Sequence, residues 1–324
     1  MKKGFYIALA VFLVVAFVLN LKKKEIPGAV KTQEVKTTAH SSFDFDQDIF
    51  NKIPDKIKFC SDEITLTVDQ KINLAKALKK ESKSFSNESL RNSRNNMWFS
   101  YIRKELKKKN LHEDLKYVPV IESRLNPLAE SNKGAMGPWQ LTRATAEGQG
   151  LTVIPGIYDE RRDFVSSTEA ALNHLTELHN SFRNWIAVLA AYNAGEKGIS
   201  QAMKKEKINN FFFLVKIWPE TKEFPYRAIA NKLIFENPEQ YGFTKEKWLA
   251  DDYYDKNNCV IIKTELLIET DTTIEEIVEI IKADDHPELT VADFKRFNPQ
   301  IIVDQVPRGN YYKAYILKPG CRTS

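Results

Sequence analysis

The chain has 324 residues, 43% of them hydrophobic and 19 of them phenylalanine, enough apolar material for one large domain and a smaller one. Its formal net charge of +5 is an end effect, because Lys2, Lys3, Lys22, Lys23 and Lys24 lie in a stretch without acids and the rest of the chain balances to zero. A neutral body gives no electrostatic reason for a nucleic-acid partner. The five histidines show no metal-ligand spacing beside cysteine or acid, so neither a metal nor another cofactor is expected.

In chain order, residues 4–19 (GFYIALAVFLVVAFVL) run apolar without interruption behind two lysines. Residues 1–21 therefore read as a membrane anchor or a signal. With no small-x-small cleavage site after the run, an uncleaved single-pass anchor is favoured. Residues 22–70 mix Lys, Thr, Ser and Asp with few large apolar groups and read as a linker. Residues 71–250 then have the texture of one helical domain. Its first part is rich in Lys and Arg, a solvated face, while Trp98, Ile102 and Leu106 recur every four residues beside Phe99 as a packing stripe.

The centre of the chain is Leu115 to Leu141, LKYVPVIESRLNPLAESNKGAMGPWQL. One carboxylate, Glu122, closes an apolar helical run that stops by Asn126-Pro127, since a residue before proline is pushed out of helical geometry. A loop punctuated by Gly134 and Gly137 follows, and Pro138 is expected to open a helix carrying Trp139 and Gln140. A carboxyl at the end of an apolar helix, facing a tight loop, is partly desolvated, and desolvation lets it hold a proton near neutrality as a general acid must. Tyr158 to Asp163 (YDERRD) read as a structural ion-pair cluster. Ser166 and Glu169 fit a capping box, ahead of a stripe of Leu172, Leu175, Leu178 and Phe182. WIAVLAAYNAG is apolar nearly all round, stops at Gly195, and carries an amide, Asn193, that is costly there unless it bonds something.

From Asn258 the texture changes. A β-branched run, two amphipathic helices (the first with a capping box from Thr272 to Glu275) and YYKAYIL give the order strand–helix–helix–strand over residues 258–319. Three cysteines cannot all pair. Cys259 and Cys321 bracket this segment and either form a disulfide or, with Cys60, remain free thiols.

Glu122-Ser123, Gly137-Pro138-Trp139-Gln140, YDERRD, STEAA and LAAYNAGEKGI, in that order, resemble the SLT-type lytic transglycosylases, particularly the membrane-bound murein transglycosylase D group. The resemblance covers roughly residues 95–245. It implies a mainly α, lysozyme-like (goose-type) catalytic domain, with Glu122 catalytic and Ser123, Gln140, Tyr192 and Asn193 lining a substrate cleft. That family closes with Glu-Thr-x-x-Tyr-Val, whose tyrosine hydroxyl enters the cleft. Here Phe224 holds that position, followed by Pro225, and Tyr226 is the nearest candidate. The tail is similar to a LysM module, a small α+β binder of N-acetylglucosamine glycans, although the Gly-Asp-Thr-Leu start is missing. The implied activity is non-hydrolytic cleavage of peptidoglycan between N-acetylmuramic acid and N-acetylglucosamine, giving 1,6-anhydromuramyl ends in the bacterial cell envelope, facing the periplasm. A lysozyme-type hydrolase on the same scaffold and a non-catalytic peptidoglycan-binding anchor are the alternatives.

Overall fold

The computed structural model describes residues 46–208, 211–213, 217–250, 253–257, 259–284 and 286–318. The apolar stretch at residues 1–21 and most of the linker fall outside them, as does Cys321. Among the described residues no helix is long and apolar enough to cross a membrane.

The linker expectation is corrected from residue 46 onward. Asp46 caps helix α1 (Gln47–Lys52), and strands β1 (Lys56–Phe59) and β2 (Asp62–Thr65) pair as an antiparallel hairpin. Their few apolar side chains suffice because Ile53, Ile57, Phe59 and Cys60 all insert into the main core. Asp62 also accepts the Trp185 amide at 2.7 Å, so the hairpin helps to start a later helix.

Helix α2 (Val68–Ser84) opens with the Thr67–Gln70 capping box and buries Leu74, Ala75 and Leu78. After α3 (Asn87–Asn95), α4 (Met97–Lys108) buries Trp98, Phe99, Ile102 and Leu106, the stripe expected from the spacing, and Trp98 stacks on Phe164 at 4.4 Å. A 3-10 turn leads into the short α5 (Val118–Ser123). Gly137 to Gln140 form a four-residue turn closed by a Met136–Leu141 bridge, not the helix expected from Pro138. The next helix, α6 (Arg143–Gly148), starts only after Thr142 provides a cap. Strands β3 (Val153–Ile154) and β4 (Tyr158–Asp159) make a short hairpin.

Helix α7 (Phe164–Phe182) is capped by Asp163, whose carboxylate accepts from the Val165 and Ser166 amides. The expected Ser166 cap therefore lies inside the helix. An anion three residues earlier starts the helix sooner, satisfies the orphan amides of that earlier first turn and also meets the positive end of the helix dipole. Helix α8 (Trp185–Ala194) is buried from Trp185 through Ala191 and ends where Gly195 takes φ +88°. Helix α9 (Glu196–Glu206) follows, and then α10 (Pro219–Glu236), which packs against α2, α8 and α5. Domain and module are joined by α11 (Tyr253–Lys256).

The C-terminal module has the expected order. Strand β5 (Ile261–Ile268), a two-residue β6 (Thr272–Thr273), α12 (Ile274–Asp284), α13 (Val291–Phe297), β7 (Gln305–Val306) and β8 (Asn310–Leu317) follow in turn. β5 and β8 pair antiparallel from Ile261↔Leu317 to Ile268↔Asn310. Ile274, Ile277, Val278 and Ile281 form the buried side of the amphipathic α12, but the capping box is one residue late, with Thr273 and Glu276 exchanging bonds. Cys259 is disulfide-bonded and Cys60 is a free, buried thiol. The described residues thus form a mainly helical domain followed by a small α+β module.

Candidate active site

α5 is only six residues long because Arg124 and Leu125 turn left-handed, with φ of +57° and +62°. Such backbone costs roughly 1 kcal/mol or more for each non-glycine residue and persists only where tertiary contacts over-determine it. They do so here. Leu125 is buried, and the Arg124 guanidinium lies over the Phe85 ring while donating to Glu81 at 2.8 Å and to Ser84. Glu81, only 1% exposed, also receives Arg227 Nε at 2.6 Å and Asn231 Nδ2 at 3.0 Å. Arg227 in turn donates to the Ile121 carbonyl at 3.0 Å, beside Glu122. A buried carboxylate on α2 thus fixes the end of α5 from behind.

Glu122 is half-buried, and among the described residues no hydrogen bond reaches its carboxyl. Burial pushes its pKa up to about 8; the Arg227 charge opposes this and the Glu220 charge adds to it. At neutral pH the group therefore holds its proton. Around it, the Tyr192 hydroxyl donates to the Trp139 carbonyl at 2.7 Å, and burial with the nearby Glu122 charge raises its pKa far above the ordinary value. Asn193 accepts from Thr221 at 3.0 Å through Oδ1, and among the described residues nothing takes its amide nitrogen.

Ser123 faces backbone. Its hydroxyl donates to the Pro138 carbonyl at 2.8 Å and accepts the Asn126 amide, which ties the loop to the acid's own helix. Gln140 sits at φ +49°, its amide nitrogen donating to the Ala129 and Gly137 carbonyls, so its carbonyl oxygen is the atom left over. Trp139 is fully buried and donates to Thr168 at 2.9 Å, a packing residue. Tyr226 is a correction. It is 2% exposed, packs on Phe212 and hydrogen-bonds Asn73 of α2. Residues two apart on a helix point about 200° apart, so a side chain at 226 cannot take the place of one at 224. Phe224 is itself in the core, and no tyrosine of α10 joins Glu122.

YDERRD is the clamp of the loop. Arg161 forks onto Asp159 and donates to the Gly134 carbonyl at 2.8 Å, while Glu160 takes Lys313 Nζ at 2.7 Å and the Thr152 amide at 2.6 Å. These acids are engaged and buried. The Arg161 carbonyl lies so close to Gly137 (φ +80°) that a Cβ there would stand 1.7 Å from it. We expect Gly137→Ala to lower stability by more than about 2 kcal/mol in urea unfolding, through clash and left-handed strain together. An unchanged midpoint would contradict that close approach.

The sequence reading missed three participants: Arg227 and Glu220 on α10 and Glu81 on α2. Glu220 and Arg227 are seven residues apart, two helical turns on one face, the only local signal that they act together. A fourth group, Cys60, His112 and Asp114, gathers donor atoms within 4.8 Å. Asp114, however, accepts Lys232 Nζ at 2.7 Å and the Cys60 amide at 2.7 Å, and His112 Nδ1 caps the Asp114 amide. Those bonds make the group a structural knot that ties the hairpin to α10. The 54-residue separation of Cys60 and Asp114 hid it from spacing arguments.

Residues 100–212 match the family described as Transglycosylase SLT domain. Over 146 residues the chain is 35% identical to the membrane-bound lytic murein transglycosylase D of Escherichia coli K12, covering 44% of this chain and 32% of that one. It is 37% identical over 83 residues to the peptidoglycan transglycosylase gp16 of Escherichia phage T7, covering 25% of this chain and 6% of the phage protein. The 70 kDa soluble lytic transglycosylase of Escherichia coli aligns in space at 17% identity and a TM-score of 0.35, covering 56% of this chain and 35% of that one. The chain spans about a third of the length of the murein enzyme it matches. Glu122, the Gly137–Gln140 turn and Tyr192-Asn193 all lie inside the span of this chain that matches the Transglycosylase SLT domain family.

Proposed function

We propose that the protein is a lytic transglycosylase of peptidoglycan glycan strands, with Glu122 as acid and then base. Protonated Glu122 gives its proton to the oxygen joining C1 of N-acetylmuramic acid to O4 of N-acetylglucosamine, and the C1–O bond breaks with both electrons leaving on that oxygen. The muramyl 6-hydroxyl oxygen then bonds to C1 as its proton passes to the Glu122 carboxylate. The products are a 1,6-anhydromuramyl end and a free 4-hydroxyl. No water is consumed and the acid is regenerated. Asn193 Nδ2 and the Gln140 carbonyl oxygen are the ligand-facing polar atoms, suited to N-acetyl and hydroxyl groups.

The observation that carries this reading is an acid kept protonated near neutrality by burial and, among the described residues, left without a hydrogen-bond partner of its own. Glycoside hydrolysis needs a second carboxylate as base or nucleophile. Asp159 and Glu160 are already bonded, whereas Glu220 is exposed and its charge reaches Glu122. Glu220 is therefore what favours the hydrolase alternative. The masses of muropeptides released from purified sacculi decide between the two. Anhydro products, one water lighter than reducing ends, are expected, and reducing ends throughout would replace this reading with hydrolysis. Residues 1–21 serve in this proposal as the membrane anchor that holds the domain against the wall from the periplasmic side. The tail is a LysM-like module that braces the enzyme.

A further inference from the structure

All five tryptophans lie among the described residues, and four are accounted for by packing. Trp98, Trp139 and Trp185 are at most 8% exposed, and Trp248 is half-buried. Trp218 is 60% exposed, on a domain whose other large aromatic side chains are almost all inside. A single exposed apolar side chain is ordinary on a protein surface, so what matters about this indole, an apolar body with a polar N–H, is where it stands.

Its surroundings supply one. Trp218 is the residue immediately before α10, and the first turn of that helix carries Glu220, whose charge acts on Glu122, and Thr221, which holds Asn193. The ring itself rests on α9. Its Cζ3 and Cη2 atoms lie over Gly198, where a Cβ would already be in ordinary contact at 3.5 and 3.6 Å. One edge of the indole is thus seated while most of it stays open, and no bond to Nε1 is present among the described residues. The same two helix starts, α9 and α10, flank Asn193. A flat, mostly exposed apolar surface with an N–H at its edge, beside the Asn193 amide, fits the apolar C–H face of a pyranose ring with hydroxyls at its edge.

We propose that Trp218 is a stacking platform for an N-acetylhexosamine ring at the lip of the Glu122 cleft, beyond the sugar pair being cut. This rests on the transglycosylase reading and adds a subsite to it. The platform binds the ground state and the transition state alike, so its removal acts on KM and leaves kcat nearly alone.

The test uses Glu122→Gln protein, a chitin-derived N-acetylglucosamine hexamer as probe, and acrylamide quenching of tryptophan emission. The hexamer is expected to shield a quenchable component that is missing when Trp218→Phe is added. Trp218→Ala in the otherwise native protein is expected to raise KM for peptidoglycan about three- to tenfold, the size of one aromatic contact, with kcat within about twofold. Trp218→Phe is expected to recover part of that KM, which a purely structural role would not require. If the hexamer binds but leaves the indole fully quenchable, or if Trp218→Ala keeps the native KM while Glu122→Gln abolishes turnover, the platform is refuted and the catalytic reading stands. If the native protein neither turns over peptidoglycan nor binds the hexamer, the catalytic reading fails and takes the platform with it.

Discussion

Glu122→Gln is expected to lose turnover of peptidoglycan by about a thousandfold or more while still binding glycan strands, measured by release of soluble muropeptides and by pull-down on sacculi. Proton donation by a placed side chain is worth about a hundred- to ten-thousandfold, and here the same group must also take a proton back. Glutamine fills the same space, so a fall in rate reports the lost proton rather than lost packing. The native rate is expected to decline as pH rises through about 8, where the acid surrenders its proton. Stability carries the same signature with the opposite sign from an ordinary buried carboxylate. The folded pKa is raised from 4.5 to about 8, so between those values the unfolded chain has lost a proton that the folded chain keeps. Folding then loses free energy as pH climbs through that window. Glu122→Gln should therefore match native stability near pH 4 and exceed it near pH 9 in thermal unfolding. A mutant that is no more stable at pH 9 would mean that this carboxyl is not held in its acid form.

The second large effect is expected behind the cleft. Glu81→Ala leaves Arg124, Arg227 and Asn231 facing a 1%-exposed vacancy, the two arginines with side chains only 32% and 24% exposed. Breaking such a buried pair from one side costs about 3–5 kcal/mol, because the stranded cations keep their desolvation penalty. Urea unfolding measures it, and a loss below 1 kcal/mol would mean that water reaches the site freely. Burial pushes the Glu81 pKa up, but Arg227 and Arg124 outweigh it and hold the carboxyl below the ordinary value of 4.5. Its contribution is therefore present above pH 4.5 and fades as acid protonates it. Turnover should drop with stability, since Arg227 also holds the Ile121 carbonyl next to the acid.

Much of the site was legible because its chemistry is written in adjacent residues. Glu122 after an apolar run, an asparagine ending a helix with no polar face, and a glutamine after a glycine turn each contradict their local texture, and that marks them. The helices were legible wherever a stripe repeats, as at Trp98 or Ile274. What escaped was whatever depends on contacts distant in sequence. Nothing near Glu81 says that it meets residues on two other helices, and nothing in DEIT says that Asp62 starts α8. Residues 46–65 read as tether because four core side chains among polar neighbours make no periodic pattern. The surroundings of Tyr226 escaped in the same way, since nothing local says that it is buried and bonds Asn73 of α2. The caps of α7 and α12 moved because two acceptors competed within a few residues, and tertiary surroundings chose between them.

The bonds from Glu160 to Lys313, from the Asp159 amide to the Gln300 carbonyl and between the Ser166 and Tyr315 hydroxyls all cross from the loop clamp and the start of α7 into the C-terminal module. Tyr158 even belongs to the tail's own apolar cluster. The tail is therefore a keystone set against the arch that carries the glutamine turn. Its residues are answerable to turnover as well as to any glycan they hold. Shortening the chain at residue 257 would pull a wall out of the helical domain rather than trim an accessory from it.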